Sequence, residues 1–277
     1  MRTIFLTVLS FALVAGTFTA NAQDKPKKYH PKHEFWYRDY SGENDQIKVE
    51  VKDIVSQIEV IKFKIKFTNK TNDFILVDPQ KMSLTINGTT INFKEKAFYI
   101  KPYENESKVL DLVKATDFHQ ETFTVDFGQG ISLITSTGNS IDMDDFQLPA
   151  ATNVVQNKLL TLNLRTLNKE TDNMNAQFSV KYTGSKMLLV DPSRAGTKTE
   201  SGQRFANVWA KSRITVMAPG EEDKFWVWAK IPVHVVDMQF ANLFVVWEDV
   251  FTEADKKPFT YESLKFDVDP GKTAGKN

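Results

Sequence analysis

Residues 61–67 read Ile61-Lys62-Phe63-Lys64-Ile65-Lys66-Phe67. Every second residue is apolar and every residue between is lysine. Successive side chains of a strand point to opposite faces, so this order puts four apolar groups on one side and three cations on the other. A helix would spread the lysines around its circumference, so the stretch predicts a strand with one wet face and one core face. The same grammar extends outward. Ile47, Val49 and Val51 alternate with Lys48, Glu50 and Lys52. Met82, Leu84 and Ile86 lead into Asn87-Gly88, followed by Ile91 and Phe93. Asn-Gly accepts positive φ at both central positions of a type I′ turn, which makes a two-residue hairpin and sets Leu84 opposite Ile91 and Met82 opposite Phe93. Phe123, Val125 and Phe127 predict a further strand. In the second half, Leu160-Leu162-Leu164, Phe178-Val180-Tyr182, Phe225–Ala229, Leu243–Trp247 and Leu264-Phe266-Val268 repeat the pattern. The best helical candidate is 111–121. Many short strands between turn signals predict an all-β fold of antiparallel sandwiches.

An internal repeat organises these strands. Leu76-Val77-Asp78-Pro79 recurs as Leu189-Val190-Asp191-Pro192, each after a strand and a polar turn. Downstream, Pro102-x-Glu104 and Pro219-x-Glu221 each precede a lysine and another strand. The spacing is about the size of one Ig-like sandwich of roughly 100 residues. Strand, "FTNKTNDFILVDP", Asn-Gly hairpin and "IKPYENESKVLDL", in that order, resemble the telokin-like Ig-like sandwich domains of bacterial extracytoplasmic proteins. The resemblance covers about residues 47–150 and, more loosely, 152–269. It implies binding, scaffold or envelope roles and supplies no site residues. Two tandem antiparallel Ig-like β-sandwich domains are therefore expected, at 47–150 and 151–269, with a boundary near Pro149-Ala150-Ala151-Thr152. Residues 23–46 are expected as an N-terminal arm and 270–277 as a flexible tail.

The N-terminus reads as a processing segment. Arg2 precedes an apolar run from Ile4 to Val14, and Ala20-Asn21-Ala22 is a small-x-small cleavage site. Residues 1–22 are thus expected as a signal peptide cut after Ala22, which sends the mature chain to a bacterial periplasm or outside the cell. With 35 Lys+Arg against 35 Asp+Glu, no basic surplus exists for nucleic acid. The one local bias is the arm's Lys25, Lys27, Lys28, Lys32, His30 and His33. No apolar run after the leader is long enough to span a bilayer. Zero cysteines remove a disulfide scaffold, thiolate zinc sites and cysteine nucleophiles.

Catalytic motifs fail one residue at a time. His33-Glu34 opens like a zincin motif, but Tyr37 stands where the second His belongs. Gly271-Lys272-Thr273 ends like a P-loop, but Phe266 replaces the leading Gly. Asp142, Asp144 and Asp145 have the spacing of a loop that shares a calcium ion, although Phe146 and Gln147 break the EF-hand pattern. A solvated linker is the competing account of these acids. The remaining signal is aromatic. In Phe225-Trp226-Val227-Trp228-Ala229 the tryptophans point one way and the other three residues the opposite way. Leu243–Trp247 is likewise apolar on both faces. A sandwich strand needs one apolar face only, so Trp226, Trp228 and Trp247 become the candidate binding residues. Their cover is the arm with Phe35-Trp36-Tyr37, the first domain, a partner protein or a stacked carbohydrate. The expected function is non-catalytic: an envelope or secreted adaptor that binds another envelope protein through a sheet face or edge, without a cofactor. The alternatives are a carbohydrate-binding module using exposed tryptophans and a hydrolase whose carboxylate pair meets only in the fold.

Overall fold

The hairpin over Met82–Phe93 forms as its sequence dictates. Strands Ser83–Ile86 and Thr89–Asn92 pair with Leu84 opposite Ile91, and the Phe93 amide donates to the Met82 carbonyl at 3.4 Å. Asn87 and Gly88 take φ of 49° and 71°, the left-handed pair that a type I′ turn requires. This computed structural model describes residues 33–209 and 211–276. The expected signal peptide, residues 1–22, and the arm's Lys25, Lys27, Lys28, His30 and Lys32 lie outside the described residues.

The first half carries β1 (Phe35–Trp36), β2 (Tyr40–Glu43), β3 (Ile47–Ser56), β4 (Val60–Asn69), β5 (Phe74–Val77), β6 (Ser83–Ile86), β7 (Thr89–Asn92), β8 (Phe98–Ile100), β9 (Asn105–Val113), β10 (Thr122–Asp126), β11 (Ile131–Ser140) and β12 (Phe146–Leu148). The second carries β13 (Val154–Gln156), β14 (Leu160–Lys169), β15 (Asn173–Tyr182), β16 (Met187–Val190), β17 (Gly196–Thr199), β18 (Arg204–Ala206), β19 (Thr215–Met217), β20 (Glu222–Lys230), β21 (Leu243–Val246), β22 (Phe251–Pro258) and β23 (Leu264–Asp267), then helix α1 (Pro270–Ala274). The fold is all-β and built of antiparallel sheets. Ile61, Phe63, Ile65 and Phe67 are buried on β4, while Lys62 and Lys64 are exposed. Lys66 is half-buried because it leans on Glu50, 3.9 Å away. The helical candidate 111–121 is instead the end of β9 and a loop. Its period-two burial, with Leu110 and Leu112 inside, outweighs its helical propensity.

The repeat seen in sequence is a repeat of topology. Sheet β3-β4-β9 has its counterpart in β14-β15-β20, and β10-β6-β7 in β21-β17-β18. The repeated Leu-Val-Asp-Pro motifs sit at the ends of β5 and β16, each opening a 3-10 turn at Pro79–Lys81 and Pro192–Arg194. The two halves then meet in one six-stranded sheet, β19-β16-β22-β11-β5-β8. Its register is two-fold symmetric: Ile134 pairs with Lys256, and Ser136 with Ala254, across the central β11–β22 ladder.

Each half also lends a strand to the other. After β11 the chain crosses, and β12 pairs with β21. After β22 it crosses back, and β23 pairs with β10. The lent strands fill the host cores. Phe146 and Leu148 join the cluster of Phe178, Phe225 and Phe251, while Phe266 stacks on Phe123 at 4.9 Å. This corrects the expected division near Pro149–Thr152: hydrogen-bonded sheets cross that point, and the described residues belong to one compact unit, Lys32–Asn277. The physical reason is that an isolated half would leave the inner edge of β11 or β22 unpaired, and an open edge must be covered or paired.

The terminal expectations change as well. The described part of the arm is built into the first sheet: β1 and β2 both pair with β3, and Tyr37 is fully buried with its hydroxyl donating to the Gln120 carbonyl at 2.6 Å. The expected tail starts as α1. Asp269 caps it by accepting from the Gly271 and Lys272 amides, and Pro270 fits its first turn. The Trp36 amide donates to Thr273 Oγ1 at 3.0 Å, which docks the helix on β1.

Candidate functional site

Strand β20 is anchored by its inner face. Phe225, Val227 and Ala229 are 7%, 0% and 0% exposed, while Trp226 and Trp228 stand on the outer face, half-buried. The first-half counterpart, β9, has Val109 and Asp111 at the same distances after its Pro-x-Glu turn. The indoles are thus an addition specific to the second half, and so is their cover. The connection before β8 spans residues 93–97, whereas the one before β19 spans 207–214 and carries Trp209.

Asn207 fastens this longer segment along the β20 edge. Its Oδ1 accepts from the Trp228 amide at 2.9 Å and the Trp209 amide at 3.0 Å; its Nδ2 donates to the Trp226 carbonyl at 3.0 Å. The Val208 amide adds a bond to the Trp228 carbonyl at 2.9 Å. Trp209 is thereby laid across both indoles, with ring centroids 4.5 Å from Trp228 and 6.2 Å from Trp226. Among the described residues the cover is internal and comes from the second half's own connection.

The cover is partial. A cleft of about 320 Å³ remains beside Trp209 and Trp226, bordered by Lys211, Ser212, Arg213 and Lys224. The three cations are exposed, and Lys211 Nζ lies 5.9 Å from the Trp209 ring centre. Beneath the surface, Trp228 Nε1 and Ser212 Oγ are buried without a hydrogen-bond partner. Such atoms cost about 1–3 kcal/mol each when left unsatisfied.

Trp247 is not part of this surface. It is 4% exposed, meets Phe178 edge-on at 5.0 Å, and donates from Nε1 to the Asp144 carbonyl at 3.1 Å. It shares the inward parity of Leu243 and Val245 and packs with them in the second-half core. The calcium candidate is corrected by the crossing of the chain after β11. Asp142, Asp144 and Asp145 connect β11 to β12, and Asp145 pairs with Lys198. The Asp142 carbonyl accepts from Asn157, and Asp144 is engaged through its carbonyl. Among the described residues no group of three or more His, Asp or Glu is placed to hold a metal ion.

Two features were not legible beforehand. Residues 231–242 join β20 to β21 and present Phe240 at 80% exposure and Val233 at 57%. Ile231 and Met238 are fully buried and pin the loop, and Asp237 Oδ1 accepts from the Gln239 amide at 3.0 Å. The counterpart loop of the first half buries its Phe118 instead. The only sequence sign was the unpatterned cluster of Val233, Val235 and Val236 around His234. The second feature is a cavity of about 580 Å³ on the outer face of the central sheet, floored by Leu76, Met187 and Ala254. Tyr99 on β8 and Ala218 after β19 both border it, so the sheet curls to bring its two edges toward one space. Burial, reinforced by the Glu221 carboxylate, pushes the Tyr99 phenol up to about 12. Two acids line this cavity, Glu221 and Asp255, and Asp255 is tied to Lys186 at 3.1 Å.

A pH effect arises at the first sheet's end. His119 stacks on Phe35 at 3.8 Å between ring centres and shares a 2.8 Å hydrogen bond with His33. Burial first, and the neighbouring His33 second, hold its pKa below the ordinary value near 6.5. The folded state therefore binds fewer protons than the unfolded chain just below that value. Stability is full above about pH 6.5 and declines as pH falls toward the lowered pKa. His119→Gln should flatten this part of the pH–stability curve, measured by urea unfolding at pH 7.5 and 5.5; an unchanged slope would contradict the assignment.

No family model matches the chain, and none of the curated proteins matches it. Among solved structures, the secreted serine protease VesC from Vibrio cholerae is similar at 8% identity, over 74% of this chain and 49% of that chain, with a TM-score of 0.18. The chain thus spans about half the length of that protease, and a likeness this slight carries no argument about fold or activity.

Proposed function

We propose that the chain is a non-catalytic adaptor of the bacterial cell envelope or exterior, made of two Ig-like sandwich halves that share one sheet and exchange a strand, after a leader cut behind Ala22. The observation that carries this reading is the loop 231–242. Phe240 and Val233 are held in water by a loop whose own anchors, Ile231 and Met238, are fully buried. A solvent-facing phenylalanine on a pinned loop is a contact residue awaiting a surface, in the manner of aromatic anchors that dominate protein interfaces.

The test places a photocrosslinking phenylalanine analogue at position 240 in the native host. The adaptor reading expects a discrete adduct with an envelope protein, lost when the analogue is moved to exposed Lys64. Phe240→Ser with Val233→Ser should weaken capture of that protein at least about tenfold, the loss of one hot-spot contact, with an unchanged melting temperature. The same adduct from both positions, or capture indifferent to the double substitution, would refute it. Mass spectrometry of the mature chain should find Gln23 as the first residue.

The cleft beside Trp209 and Trp226 favours a second reading, saccharide binding, because indole faces and neighbouring polar groups are what a sugar ring meets in a binding site.

A further inference from the structure

We infer that the cleft beside Trp209 and Trp226 takes an acidic saccharide, one whose sugar rings carry carboxylates. This rests on the saccharide reading and narrows it. Indole faces alone suit neutral sugars, which also require Asp, Asn or Gln to bond their hydroxyls. The rim here supplies cations instead: Lys211, Arg213 and Lys224.

The state of those cations decides the class. Elsewhere in the second half, Arg165, Lys186, Arg194, Lys198 and Arg204 are each paired with a carboxylate, while Lys158, Lys181 and Lys230 stand singly among the described residues; at this cleft several cations are grouped. Among the described residues, Lys211, Arg213 and Lys224 have no such pair, although Asp223 also lines the cleft. Asp223 Oδ1 is engaged by the Lys224 backbone amide at 2.7 Å. Glu222, two residues before Lys224 on the same strand face, also lies within electrostatic reach of it and is tied to Arg165, so the three exposed cations together with Arg165 outnumber the two nearby carboxylates and leave a local positive field beside an apolar wall. A guanidinium and ammonium groups bind carboxylates through short charge-assisted bonds, while the indoles accept the C–H face of the ring. Ser212 also lines this wall, with its hydroxyl turned inward and buried. The volume of about 320 Å³ falls at the small end of ligand pockets, which suits the end or one unit of a chain. The first half lacks the indole platform, since Val109 and Asp111 replace the tryptophans and its shorter connection 93–97, although it carries Lys94 and Lys96, has no tryptophan.

The experiment titrates the full mature chain with uronate tetrasaccharides of α- and β-linked backbones, following tryptophan emission. Their methyl esters, which keep the rings and remove the charge, serve as the matched neutral probes. The inference expects saturable quenching by at least one uronate, at least about tenfold weaker binding of its ester, and several-fold weakening between low and high salt as the exposed charges are screened. Lys211→Gln with Arg213→Gln and Lys224→Gln should abolish the preference for the acid without changing the melting temperature. Trp209→Ala should weaken both forms. Equal binding of acid and ester would overturn the acidic class and leave the saccharide reading standing. No response to any saccharide up to about 10 mM, a concentration worth only ~3 kcal/mol of affinity, would overturn both. Equal binding of a tetraglutamate peptide or a short oligothymidylate would also overturn the inference, because charge or base stacking would then suffice.

Discussion

Removing residues 260–277 should unfold the first half of the chain, although every deleted residue lies more than a hundred positions beyond the strands affected. β23 completes the sheet of β10, β6 and β7 by pairing Phe123 with Phe266 and Val125 with Leu264. Leu264 and Phe266 are 3% and 2% exposed, and Phe266 stacks on Phe123. The same deletion removes α1 and its bonds to Trp36. Phe266→Ala alone should cost about 3–5 kcal/mol, the usual loss on emptying a buried aromatic site. Against a total stability of about 5–15 kcal/mol, loss of the whole strand leaves little or none. Hydrogen exchange over residues 61–67 is the readout. Protection should vanish in the truncated chain; intact protection would mean that 47–150 folds independently and that the lent strand is decoration.

Phe63→Ala should likewise cost about 3–5 kcal/mol, and its neighbour Lys64→Ala less than about 0.5 kcal/mol. Phe63 is 1% exposed and meets Phe93 edge-on at 5.9 Å and Phe123 face-on at 6.3 Å. It thereby ties β4 to the hairpin and to β10, so the cavity left by alanine opens between three elements that cannot close on it together. Lys64 stands exposed opposite Lys52, and losing one of two facing cations removes nothing the fold requires. Comparable midpoints for the two variants in urea would mean that the strand lies in the opposite register.

Local geometry was readable from sequence wherever it depends on neighbours in the chain. Alternation placed Phe63 inside and Lys64 outside, Asn87-Gly88 fixed the hairpin, and the two Leu-Val-Asp-Pro motifs marked equivalent corners. Exchange of β12 and β23 was not readable, because Phe146-Gln147-Leu148 and Leu264-Lys265-Phe266 alternate in the same way whichever sheet accepts them. Period two assigns a face, not a partner. Trp247 follows from parity too: Leu243, Val245 and Trp247 share one face and lie together in the core, while Phe244 on the other face is half-buried. For Trp226 and Trp228 the parity argument held, since both indoles are on the outer face. Trp209, their cover, lies in a loop with no period to expose it. Its one trace was the greater length of 207–214 over 93–97.

The two surfaces that carry the functional reading both belong to the second half, where the repeat departs from itself: a longer connection bearing Trp209, and a loop that turns Phe240 outward where its counterpart buries Phe118. The first half keeps the shared scaffold. This division of labour requires that the halves fold as one body, with the β11–β22 ladder and the exchanged strands coupling them. Urea unfolding followed by two probes in one sample tests that most directly: tryptophan emission, which four of five indoles report from the second half, and the fluorine signal of a fluorinated phenylalanine placed at position 63. Coincident transitions with one midpoint and one slope are the predicted result. Two separated transitions, with the Phe63 signal moving while the indole emission stays native or the reverse, would contradict it.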